Sequence, residues 1–133
     1  MKDFAPHQES LEMKELGFDE PCFGYFEPNG EFNYIESHIL KDMPYLAKNS
    51  EWQDICGAPT FSQAFRWFRK NHGLYSSIIF KKSYPDNHVT GLEWYIIICG
   101  GDGVLFDTDG TYTYEEAELA CLKKLIEIVK QPK

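Results

Sequence analysis

The stretch from Ala58 to Ile79, APTFSQAFRWFRKNHGLYSSII, limits what this chain can fold into more than any other. Pro59 suits the first turn of a helix, where a missing N–H removes no hydrogen bond. Phe61, Ala64, Phe65, Phe68 and His72 then follow the i, i+3, i+4, i+7 spacing of one apolar helix face. Arg66, Arg69 and Lys70 fall on the opposite side, and Trp67 sits about 100° round from the Phe stripe. Gly73 ends the helix, and Leu74 to Lys81 reads as a strand with Ile78 and Phe80 on one face. His72 is expected to be a packed helix-end histidine rather than a catalytic one.

The segments that follow supply partners for this helix and strand. Leu92 to Cys99 is the strongest strand signal, with Leu92, Trp94, Ile96 and Ile98 facing one way and Tyr95, Ile97 and Cys99 the other. Apolar residues on both faces predict a strand covered on both sides. Gly100-Gly101-Asp102-Gly103 reads as a hairpin turn into Val104–Phe106. Thr113-Tyr114-Glu115-Glu116 is a capping box that opens a helix from Tyr114 to Lys130. Its apolar arc (Ala117, Cys121, Leu125 and Ile128, widened by Leu122, Ile126 and Val129) is broad enough to require two packing partners.

Before Ala58 the pattern is less regular. Residues 8–17 predict a short helix stopped by Gly17, with Leu11 and Leu16 as its anchors. Asn29-Gly30 between the aromatic runs Cys22–Phe26 and Glu31–Ile35 predicts a β-hairpin. Residues 36–57 read as an irregular connector interrupted by Pro44. The expected fold is therefore α+β and two-layered, with an antiparallel three-stranded sheet packed against two helices. An N-terminal helix and hairpin would cover it. At 133 residues the chain fits a single domain, divided into an acidic segment 1–57 and an α-β-β-β-α core 58–133.

Charge is unevenly placed. Residues 1–57 carry 4 Lys and Arg against 12 Asp and Glu, and residues 58–133 carry 9 of each, so the whole net charge of −8 belongs to the first segment. Such a surface repels phosphate backbones and anionic membranes. Its plain reading is solubility, and its sharper reading is a dock for a basic partner. The longest apolar run, Trp94 to Cys99, is too short to span a bilayer. The opening MKDFAPH has no charged start followed by an apolar run, so a cytoplasmic chain is expected.

Cys22, Cys56, Cys99 and Cys121 are scattered with no short pair, which points to buried free thiols rather than a zinc or redox motif. No phosphate-loop, dinucleotide or His-Glu-x-x-His pattern occurs. Asp102, Asp107 and Asp109 lack the spacing of a calcium loop. Neither an enzyme activity nor a cofactor is expected.

From residue 58 onward the order helix, strand, strand, strand, helix resembles the double-stranded RNA-binding domain. Gly73-Leu74 after the first helix, Pro85-Asp86-Asn87-His88 in a loop, and Thr113, Ala117 and Cys121 in the last helix carry the likeness. The resemblance implies lysines at the start of the last helix that grip phosphate, but those positions here are Tyr114, Glu115 and Glu118. The whole chain also resembles small uncharacterised proteins of phages and prophages. The phrases KELGFDEPCFGY, QAFRWFRK and YEEAELAC at residues 14–25, 63–70 and 114–121 carry that likeness, which implies a genomic context rather than an activity.

The expectation for function is a non-enzymatic protein that acts by binding an unknown protein partner. Its candidate contact surface is Arg66, Trp67, Arg69 and Lys70, since Trp and Arg are enriched at interface hot spots. The competing and favoured reading of Trp67 is a side chain packed beneath residues 36–57. The alternative function, a nucleic-acid module, would use Lys81, Lys82 and His88.

Overall fold

The computed structural model describes residues 3–35, 47–51, 54–83, 91–108 and 113–131. Among them are three helices and two antiparallel three-stranded sheets, an α+β architecture. The chain forms two compact units, Met1–Ala64 and Phe65–Lys133. Charge divides with them, because residues 58–64 are uncharged: the first unit carries −8 and the second is neutral.

In the first unit, α1 (His7–Glu15) is closed by Leu16, and Gly17 follows at φ +102°, a conformation that favours glycine. Glu9, Ser10 and Met13 are the buried residues of α1, while Leu11 is exposed. Of the expected anchors, Leu11 is therefore exposed and Leu16 half-buried, and the fully covered stripe runs through Glu9, Ser10 and Met13 instead. It is fixed by the Ser10 hydroxyl, which donates to the Ala5 carbonyl at 3.2 Å. The hairpin forms as expected, with β1 (Gly24–Phe26) antiparallel to β2 (Phe32–Tyr34) and Phe26 opposite Phe32. Gly30 takes φ +88°, and Asn29 Oδ1 accepts the Glu31 amide at 2.9 Å.

A third strand, β3 (Cys56–Ala58), pairs with the other side of β1. It lies in the segment read as an irregular connector. Three small, buried residues are too few to display a strand's two-residue period. Phe26, Cys56 and Ala58 form a core cluster with Phe4 and Phe32 against it.

The second unit is built on longer ladders. In it β4 (Tyr75–Ser83) pairs with β5 (Gly91–Gly100), and β5 pairs with β6 (Gly103–Asp107), in the order β4-β5-β6. The final helix α3 (Tyr114–Lys130) opens on the expected capping box: Thr113 Oγ1 accepts the Glu116 amide at 3.2 Å, and the Glu116 carboxylate accepts the Thr113 amide at 3.1 Å.

Register shows which sheet face α3 covers. Ser76 stands opposite Ile98 and Phe80 opposite Trp94. Ser76 is hydrogen-bonded to Cys121, Trp94 meets Tyr114 edge-on at 5.0 Å, and Lys124 lies over the Phe106 ring at 4.8 Å. Ile96 and Ile98 on that face are fully buried. On the reverse face Tyr95, Ile97 and Cys99 are only half-buried, and Tyr75 and Val104 are exposed. Covering of β5 is thus unequal, unlike the two-sided burial its sequence predicts.

Candidate functional site

The helix α2 (Phe61–His72) carries the residues singled out for contact. Thr60 caps it, its hydroxyl accepting the Gln63 amide at 3.1 Å, so Pro59 lies just outside the helix rather than in its first turn. At the far end Gly73 takes φ +63°, and the Leu74 amide reaches back to the Phe68 carbonyl at 3.3 Å. A glycine in this conformation terminates the helix without a Cβ penalty.

Phe61, Ala64, Trp67 and Phe68 are the buried residues of α2, and Phe65 is half-buried. Trp67 is only 5% exposed, with its indole edge-on to Phe68 and against His72, both at 5.0 Å. This corrects its place in the candidate contact surface: an indole that solvent barely reaches offers no face to a partner. Of the two readings of Trp67, burial is the one observed; residues 36–46 and 52–53, named in that reading, lie outside the described residues.

The other three candidates stay together. Arg66, Arg69 and Lys70 are all exposed. At 100° per residue they fall within an arc of about 100°, directly opposite the buried stripe. Three cations on one ridge of a capped, anchored helix form a positively charged rail. For the alternative surface, Lys81 and Lys82 lie in β4, opposite Glu93 and Leu92 in register. Their side chains and His88 are outside the described residues.

The first unit contains a cavity of about 270 Å³ that no sequence motif announces. Its wall includes His7, Lys14, Phe26, Asp54 and Cys56. Lys14 Nζ donates to the Ile55 carbonyl at 2.9 Å, and the His7 ring lies 4.9 Å from that of Phe26. Asp54 takes φ 62°, a conformation most side chains avoid.

Thiol chemistry is muted here. Burial pushes the Cys56 thiol up to about 11 although Lys14 pulls it down. Burial likewise pushes Cys22 up to about 12 and Cys121 to about 11. Because the thiolate is the nucleophile, thiols held protonated through neutral pH are inert packing groups. All four cysteines are free. Among the described residues no group of three or more His, Cys, Asp or Glu side chains could hold a metal ion. No helix among them is long and apolar enough to cross a membrane.

Comparison with known proteins returns nothing: no family model, curated protein or solved structure matches the chain.

Proposed function

We propose that the chain is a non-enzymatic interaction protein of the phage or prophage type, acting in a bacterial cytoplasm, and that it grips an acidic protein surface through the outer ridge of α2. The observation that carries this reading is the co-exposure of Arg66, Arg69 and Lys70 on a helix whose opposite side is buried. Anchoring by Trp67 and Phe68 fixes the ridge before any partner arrives, so little ordering entropy is lost on binding. Charge, rather than an exposed indole, becomes the recognition chemistry.

The test is affinity capture of the tagged full chain from host lysate at low and at moderate salt, beside the triple variant Arg66→Gln, Arg69→Gln, Lys70→Gln. The expected result is a partner retained at low salt, weakened by added salt as screened charges require, and lost in the variant. A partner held equally by the variant would refute the assignment.

A second reading follows from the order α2–β4–β5–β6–α3, which supports a likeness of residues 58–133 to double-stranded RNA-binding domains. Glu115 and Glu116 in the first turn of α3 favour the helix but repel phosphate, which is why this reading ranks second. A gel shift on duplex RNA and DNA in low salt would promote it; an unshifted band would remove it.

A further inference from the structure

A second cavity, of about 500 Å³, lies wholly within the unit Phe65–Lys133, and its size falls in the range of small-molecule pockets. Leu74, Leu105, Ile128 and Val129 make its walls aliphatic. Gly73, Gly100 and Gly101 leave the remaining wall as bare backbone. Leu105 is there because the β5–β6 ladder slips between Ile98 and Cys99, making it the extra residue of a bulge. It leans over Gly100 so closely that a Cβ there would lie 2.9 Å from Leu105 Cδ1. Although it is a large apolar side chain, Leu105 is 52% exposed.

Negative groups lead the polar side of this wall. Two helices end on it: His72 is the last residue of α2, and Ile128 and Val129 lie in the last turn of α3. Each helix C-terminus carries roughly half a negative charge. Asp102, an exposed acidic residue of the β5–β6 turn, also lines the cavity. Of the basic residues in those last turns, Arg69, Lys70 and Lys130 are exposed and do not line the cavity, whereas His72 does. Among the described residues His72 is the other titratable side chain on it, with its ring against Trp67.

From the aliphatic wall, the two converging helix ends and Asp102, we infer that this cavity binds a small organic cation: an ammonium group at Asp102 with an apolar body against Leu74, Leu105 and Val129. This site is separate from the α2 ridge and does not depend on the proposed protein contact.

Three probes that share one phenethyl body decide the matter: phenethylamine, phenethyl alcohol and 3-phenylpropionate, titrated at millimolar concentration into the ¹⁵N-labelled full chain. The expected result is that phenethylamine shifts the amides of Gly73, Gly100, Gly101 and Asp102, with the alcohol weaker and the carboxylate weakest. Asp102→Asn, a conservative change in an exposed turn, should weaken the amine about tenfold, about 1.4 kcal/mol, and leave the alcohol unchanged. Unmoved cavity amides, equal binding of the carboxylate, or an amine affinity that Asp102→Asn leaves intact would each overturn the inference.

Discussion

The two compact units solve the same problem by different means. Phe65–Lys133 is neutral and holds itself together with repeating structure: a β4–β5 ladder with nine residue pairs in register, and a 17-residue helix closed by a reciprocal cap. Met1–Ala64 carries the entire charge of −8, and each of its strands is three residues long. Its order comes from single side chains that clamp distant backbone. Asn49 donates to the Phe18 carbonyl and accepts the Gly57 amide, both at 2.8 Å. Lys14 bonds the Ile55 carbonyl, and Gln63 bonds that of Pro21 at 2.9 Å. Regular ladders tolerate the loss of any one rung, whereas a clamp fails when its one side chain goes.

That contrast can be broken experimentally, starting with the largest effect. Trp67→Ala removes a buried indole from the second unit and is expected to cost about 3–5 kcal/mol in urea unfolding. A loss under about 1 kcal/mol would return Trp67 to the surface. Asn49→Ala deletes both arms of a clamp and is expected to cost about 2–3 kcal/mol. Hydrogen exchange should report the damage at the Gly57 amide in the first unit, with α3 unaffected; a uniform loss of protection would erase the distinction between the units.

Next in size is the alkaline response. Cys22, Cys56 and Cys121 have folded-state values raised above the ordinary thiol range. The folded state therefore holds these protons more tightly than the unfolded chain, so their stabilising effect is complete below about pH 9 and declines as pH rises toward 11–12. Site-resolved alkylation should modify half-buried Cys99 first, with the two first-unit thiols joining as the pH climbs. Early labelling of Cys22 would contradict its burial.

The smallest effect belongs to the helix cap: Thr113→Ala should cost about 1 kcal/mol. Bonds from Thr113 hold the Glu116 carboxyl below its ordinary value, so its contribution is present above the ordinary glutamate range and is lost as pH falls through the folded value. Because the larger of those bonds is donated by the residue-113 amide, Thr113→Ala should keep most of that acid-side dependence, and Glu116→Gln should remove it.

How much was legible in the sequence divides along the same line. The strands β4 to β6, the capping box and the span of α3 follow from periodicity and spacing, because each is a repeated pattern. The hairpin was marked by Asn29-Gly30, whose glycine conformation the turn requires. By contrast β3 is too short to show a period. The clamp of Asn49 links residues 31 apart in the chain, a relation no local pattern encodes. For Trp67 the sequence leaves two readings open, and burial, the favoured one, is observed: Phe61, Ala64, Trp67 and Phe68 also follow helical spacing, so the buried stripe is centred further round than a stripe drawn on Phe65. The 500 Å³ cavity was invisible because its wall comes from the ends of α2 and α3, the β5–β6 turn and a bulge in β6. Its one cue was the Gly100-Gly101-Asp102-Gly103 turn, which sequence alone explains as a turn.

The central claim is that α2 is an anchor on its Trp67 side and a contact on its Arg66 side. Paired measurement of unfolding free energy and partner capture, for Trp67→Ala and for the triple glutamine variant, tests it most directly. The account predicts a double dissociation: the Trp67 variant loses stability, and the triple variant keeps stability within about 0.5 kcal/mol, as surface changes do, while losing the partner. A triple variant that unfolds, or that holds its partner as tightly as the parent chain, would contradict it.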